Sequence, residues 1–204
     1  MNTVVNSEVN AVVNSVLSSV LNSGLENHAT PRPAATFNRP PLDVVWAALA
    51  TVPDPEIPVV SIVELGIVRS VEWQGSRLVV AVTPTYSGCP ATEMINTLIR
   101  ETLALIGVNE LELTNQLSPA WSTDWIAPEA KERLRGFGIA PPHVLGNRID
   151  VAGISPLRRA RIAVPCPRCA SDNTQLLSQF GSTACKAQYR CLDCREPFDY
   201  FKPH

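Results

Sequence analysis

The sequence predicts an α+β fold: a small sheet with helices in the order α-β-β-α-β-α, followed by a C-terminal zinc-ribbon-like module. Three observations carry this. Apolar residues switch between helical spacing and strand alternation across residues 42–139. Two C-x-x-C pairs, Cys166/Cys169 and Cys191/Cys194, stand near the C-terminus. A stretch rich in Pro, Gly and Arg separates the two regions. The expected organisation is an extension over 1–40, an α+β domain over 41–139, a linker over 140–161 and the ribbon over 162–204.

The elements follow in order. Residues 1–38 are rich in Asn, Ser and Val, which are mediocre helix formers, so a disordered or weakly helical extension is expected. "LDVVWAALATV", 42–52, places Leu42, Val45, Trp46 and Leu49 on one helical face. "PDPEIP", 53–58, stops that helix. "IVELGIVRSVEWQGSRLVVAVTPT" reads as a turn and two strands, with "QGS" at 74–76 as the hairpin signal. Residues 90–106 return to helical spacing, with Met94, Leu98 and Leu105 beside Ile95, Ile99 and Ile106, and Pro90 at the first helical position. "NELELTNQL" is a third strand. A short helix begins near Pro128 and ends at Gly136 or Gly138.

Composition excludes several classes. The chain has 204 residues and a net charge of −2, so it lacks the basic footprint of a nucleic-acid binder. The ribbon itself carries five Lys+Arg against four Asp+Glu over 166–204, which favours a docking module over a nucleic-acid reader. No apolar run approaches the roughly 18 residues that span a bilayer. The first 31 residues contain no Lys or Arg, so a secretion signal is not expected either. Six cysteines in such a chain read as cytoplasmic metal or thiol chemistry.

Cys166, Cys169, Cys191 and Cys194 have the spacing of a tetrahedral thiolate site, with 21 residues between the pairs. Structural zinc is the expected metal, with iron or a cluster as the alternative. The module has too little core to fold alone, so the metal supplies folding energy. Its aromatics, Phe180, Tyr189, Phe198, Tyr200 and Phe201, form a small core or offer an exposed subset to a partner. Cys185, in "GSTACKAQ", is either a small buried hydrophobe or an exchangeable fifth thiol near that metal.

Cys89 stands apart from the other five thiols. With Pro90 first in the helix, Cys89 takes the N-cap, where free N–H groups and the helix dipole favour a thiolate. Thr85 and Ser87 add hydroxyls. The plain alternative is an ordinary strand-to-helix turn with a buried cysteine. Asp54 and Glu56 sit between prolines; they are either turn-capping groups or carboxylates supplied beside Cys89. The histidines, His28, His143 and His204, lie in expected loops or at the end, so no Ser-His-Asp or Cys-His arrangement arises. There is no G-x-G-x-x-G or Walker loop, so no nucleotide cofactor and no catalytic residue is assigned.

"PDPEIPVVSIVELGIVRSV" and "TPTYSGCPATEMI" resemble the SufT-like iron–sulfur assembly family, in which a D-P-E loop meets a T-x-x-x-C-P turn. "LSPAWSTDWIAPEAKERLRGFGIAPP", "CPRCAS", "FGSTACKAQYRC" and "CREPFDYFK" resemble the PaaD (phenylacetate-degradation) family. The resemblance covers roughly residues 42–204, weakly at 142–162. Pro203 is a departure, because a cysteine is common there in the family.

The resemblance implies an accessory role beside the multicomponent phenylacetyl-CoA ring epoxidase of phenylacetate catabolism. The implied partners are its di-iron oxygenase subunits or its flavin and 2Fe–2S reductase. The implied task is maturation, by inserting iron or an Fe–S cluster; a structural or regulatory subunit without metal transfer is the alternative. Asp54, Glu56, Thr85 and Cys89 would hold transient iron or a cluster, while the four ribbon cysteines would hold zinc.

Overall fold

The computed structural model describes residues 39–86, 88–142 and 164–203. The expected N-terminal extension, most of the linker, Ser87, and the three histidines lie outside the described residues.

Helix α1, Leu42–Leu49, buries Val45, Ala48 and Leu49, while Leu42 stays exposed in its first turn. The indole N–H of Trp73 donates to the Pro40 carbonyl at 3.2 Å and ties the chain before α1 to the sheet. Strands β1, Val68–Gln74, and β2, Arg77–Val82, form an antiparallel hairpin that turns at Gln74↔Arg77. Gly75 takes a φ of +61° there, a conformation open to glycine without penalty. Helix α2, Ala91–Leu105, leads to β3, Leu111–Asn115, which pairs parallel to β2. The central β2 reads "RLVVAV" and is buried at every position after Arg77, as expected for a strand covered on both faces.

Helix α2 corrects one expectation. Met94 and Leu105 are more than half exposed, and the buried stripe is Ala91, Ile95, Ile99, Thr102 and Leu103. The apolar residues wrap further round this helix than one stripe, and only the stripe facing the sheet is packed. After a 3-10 turn at Thr123–Trp125, helix α3 runs from Pro128 to Gly136 with Ala130 and Leu134 buried. Gly66, at φ +69°, is forced by contact: a Cβ there would stand 2.7 Å from the Trp125 Cβ.

The second sheet has the order β4-β7-β6-β5: Ile139–Ala140, Pro197–Phe201, Lys186–Cys191 and Thr174–Ser178. Strands β5, β6 and β7 are antiparallel. Strand β4 pairs parallel to β7 and directly follows α3, so the chain leaving the first sheet begins the second. The junction is packed as well as paired. Cys185 and Phe201 belong to the same buried cluster as Leu65, Ile67 and Trp121, and the rings of Trp121 and Phe201 lie 6.0 Å apart. A smaller cluster around Cys166, Cys191, Phe198 and Tyr200 fills the ribbon, with Tyr189 against Phe198 and Tyr200. Phe180 is instead 65% exposed.

Candidate functional site

The D-P-E loop is a rigid device built from its own polar groups. Oδ1 of Asp54 accepts the backbone N–H groups of Glu56 and Ile57 at 2.9 and 2.8 Å. The Asp54 N–H donates to Val60, and that of Ile62 to Val52, which pins the loop ends together. Below the loop, Glu64 accepts the Ser61 N–H and hydroxyl and pairs with Arg133 of α3. Arg133 also donates to the Val59 carbonyl. Asp54 thus caps its own turn and at the same time faces a cleft. Asp54→Ala is expected to cost about 1–3 kcal/mol, because the buried Ile57 N–H and the part-buried Glu56 N–H lose their acceptor, whereas Asp54→Asn keeps a side-chain oxygen for them. Urea unfolding of both variants checks this; equal stability of Asp54→Ala and wild type would refute it.

Asp54, Glu56, Thr85 and Cys89 line one cleft, together with Thr92 and Asn96 of α2. Its interior has room for about one water molecule, ≈ 20 Å³. The placement of Cys89 differs from expectation. Pro90 is the N-cap of α2, with no side chain capping the helix, so Cys89 lies one residue further out. The turn is closed by the backbone: Cys89 N–H donates to Tyr86, and Thr92 N–H donates to Cys89. The Cys89 side chain packs half-buried against the main core, beside the Tyr86 phenol. The Tyr86 phenol is pushed up to about 12, first by loss of solvent and then by the neighbouring Cys89, Glu56 and Cys185. It stays a protonated donor.

Burial raises the Asp54 carboxyl above its ordinary value, against the backbone N–H groups of Glu56 and Ile57 that lower it. Burial and then the charge of Asp54 raise Glu56. The cleft thus gathers acids that are each costly to ionise alone, which is the setting in which a cation is welcome.

The ribbon supplies the remaining wall. Cys185 and Phe201 line the same cleft as Cys89. The Cys185 sulfur lies 3.0 Å from the Thr183 hydroxyl, which also lowers the Glu56 carboxyl against its burial. Burial raises the Cys185 thiol. Lys186, 4% exposed, pairs with Asp199 at 3.3 Å and brings one positive charge to this edge. Cys185 is therefore not a fifth thiol beside the ribbon metal. Strand β6 separates Cys185 from Cys191 by six residues, about 20 Å of extended chain.

At the other end of β6, the four sulfurs of Cys166, Cys169, Cys191 and Cys194 lie within 4.8 Å of one another. The Cys166–Cys194 and Cys169–Cys191 separations are 3.8 and 3.5 Å. A tetrahedral zinc with sulfur at about 2.3 Å requires edges of about 3.8 Å, so the donor set fits zinc in kind, number and spacing. The Cys191 thiol is held at about 7, first by the Cys194 backbone N–H, which readies it as a thiolate. Among the described residues this is the only group of three or more potential ligands gathered so closely.

Comparisons with known proteins find two matched regions. The family model described as "PaaD zinc beta ribbon domain" matches residues 153–202, and that described as "Iron-sulfur cluster assembly protein" matches 42–112. An Escherichia coli (strain K12) protein, named as a putative component of the 1,2-phenylacetyl-CoA epoxidase, is 52% identical over 168 residues, covering 82% of this chain and 96% of its own. The chain belongs to the PaaD family. Two solved structures are similar to part of it. A Bacillus anthracis domain of unknown function, DUF59, is 33% identical with a TM-score of 0.42, covering 45% of this chain and 89% of its own. A Mycobacterium tuberculosis protein described as associated with Fe–S complex assembly and repair is 26% identical with a TM-score of 0.30, covering 55% and 98%.

In this PaaD-family chain, the cleft lies between the two matched regions. Asp54, Glu56, Thr85 and Cys89 come from the first, and Cys185 from the second. Reasoning from the sequence missed Tyr86, Asn96, Thr183 and Lys186. The sequence singled out Cys185 only as a small buried hydrophobe or a thiol near the ribbon metal, and nothing in it placed Cys185 beside Cys89. No described helix is long and apolar enough to cross a membrane.

Proposed function

We propose that this protein is an accessory maturation factor for a phenylacetyl-CoA epoxidase, aiding insertion of iron or an Fe–S cluster into the oxygenase or its reductase. Cys89 binds the iron cargo, with Asp54 and Glu56 supplying charge and Thr85 lining the path. The observation that carries this reading is the cleft itself. It sets a half-buried thiol beside two carboxylates, within the region that matches iron–sulfur cluster assembly proteins. These donors suit a thiophilic cation. The name of the E. coli relative supplies the client system. The zinc ribbon acts as a docking module, and its zinc holds structure.

The test is the iron and sulfide content of the oxygenase and reductase, co-expressed with wild-type protein, with Cys89→Ser, or without it. Content is expected to fall several-fold without the protein and to recover with wild type but not with Cys89→Ser. Cys89→Ser should retain the wild-type melting temperature within about 2 °C, because the swap leaves a half-buried site of nearly the same shape. Equal client loading in all three cases would instead mark a structural or regulatory subunit.

A further inference from the structure

We propose that Cys185 is the second thiol of the Cys89 cleft, so that the docked ribbon completes a two-thiol, carboxylate-flanked site for one thiophilic divalent ion such as ferrous iron. This rests on the reading above that Cys89 handles iron. Cys89 comes from the turn before α2 and Cys185 from the chain entering β6, yet both line one cleft. Asp54 spends Oδ1 on two backbone N–H groups and leaves Oδ2 without a hydrogen bond among the described residues. Glu56 lines the same cleft, and the Thr183 hydroxyl lies 3.0 Å from the Cys185 sulfur.

An independent observation points to a ligand for the cleft. Oδ1 of Asn96 is buried, lines this cleft and has no hydrogen-bond partner among the described residues. A buried amide oxygen without a partner costs free energy unless water or a ligand meets it. The interior volume, about that of one water, suits one ion or its bound water.

The site also differs from the ribbon's in a way that suits cargo. All four ribbon sulfurs are gathered within 4.8 Å, and among the described residues the groups of the cleft form no such gathered set of three or more. A gathered set holds a resident metal tightly; a spread set needs side-chain movement to close and releases its ion more readily. Binding forms two metal–sulfur bonds and releases one proton from each thiol to solvent. The ion stays divalent and no electron moves. Because Cys185 belongs to the ribbon, the site exists only while the ribbon sits on the first sheet.

The experiment uses the full, zinc-loaded chain under anaerobic conditions. Ferrous iron is added, and iron and zinc per chain are counted after desalting. Alkylation of each cysteine by iodoacetamide is located by mass spectrometry. Wild type should carry one iron beside one zinc, with Cys89 and Cys185 both protected from alkylation by iron. Cys185→Ser and Cys185→Ala should weaken iron binding by more than about tenfold while keeping zinc. The alanine variant covers the case in which serine is poorly tolerated in a buried position. If both variants bind iron like wild type while Cys89→Ser does not, the proposal falls and the Cys89 reading stands. Wild-type binding by Cys89→Ser, or no binding by wild type, overturns the two-thiol site. Client loading then judges maturation separately.

Discussion

Removing the zinc will unfold the ribbon and destabilise the first sheet with it. The ribbon's own buried cluster contains only Ala140, Val164, Cys166, Ala187, Cys191, Phe198 and Tyr200. Two of those seven, Cys166 and Cys191, belong to the four-cysteine set that fits zinc, so a metal bound there would be part of the core it stabilises. A module of this size buries too little apolar surface to offset its chain entropy. Structural zinc supplies apparent free energies of about 10–16 kcal/mol at neutral pH in comparable small sites. The effect travels because β4 pairs with β7 directly after α3, and because Phe201 and Cys185 complete the first sheet's core. Titration with a strong chelator, following zinc release by a colorimetric ligand and unfolding by tryptophan fluorescence, should show the two signals moving together. Trp121, tilted at 45° against Phe201 and donating to the Leu65 carbonyl at 2.9 Å, is the reporter at the junction. Complete zinc loss with unchanged fluorescence and melting temperature would refute both the structural role and the coupling.

Phe201→Ala should cost about 3–5 kcal/mol, a large share of a domain's stability. Phe201 is 1% exposed and sits among side chains of the opposite sheet, so its deletion leaves a cavity that neither sheet can close without moving. Phe180→Ala is the matched control. That ring is 65% exposed, with the Lys202 ammonium 4.5 Å above it, and its loss should change stability by no more than about 0.5 kcal/mol. Equilibrium unfolding in urea measures both. The same Phe201→Ala protein should expose Cys185 to alkylation faster than wild type, since Cys185 and Phe201 wall one cleft. Similar stability losses for the two phenylalanines would mean that the ribbon does not share the first sheet's core.

The elements were legible in the chain alone. Period 3.6 in 90–106, alternation around the "QGS" turn, and Pro128 at a helix start follow from backbone geometry and local burial, which a linear pattern records. The ribbon's ligand set was legible too, because C-x-x-C spacing constrains where two sulfurs lie within one turn. Other features depended on packing between distant segments. The choice of Ala91, Ile95 and Ile99 over Met94 and Leu105 depended on which face met the sheet. The shift of Cys89 from the N-cap depended on one residue of helix boundary, where hydrogen bonding and not pattern is the arbiter. The company of Cys185 was beyond any reading of the chain. About 100 residues separate it from Cys89, and only the pairing of β4 with β7 and the burial of Phe201 bring the two thiols to one cleft. Local sequence encodes what a residue's own neighbours enforce; a contact between distant segments exists because both bury more surface together than apart.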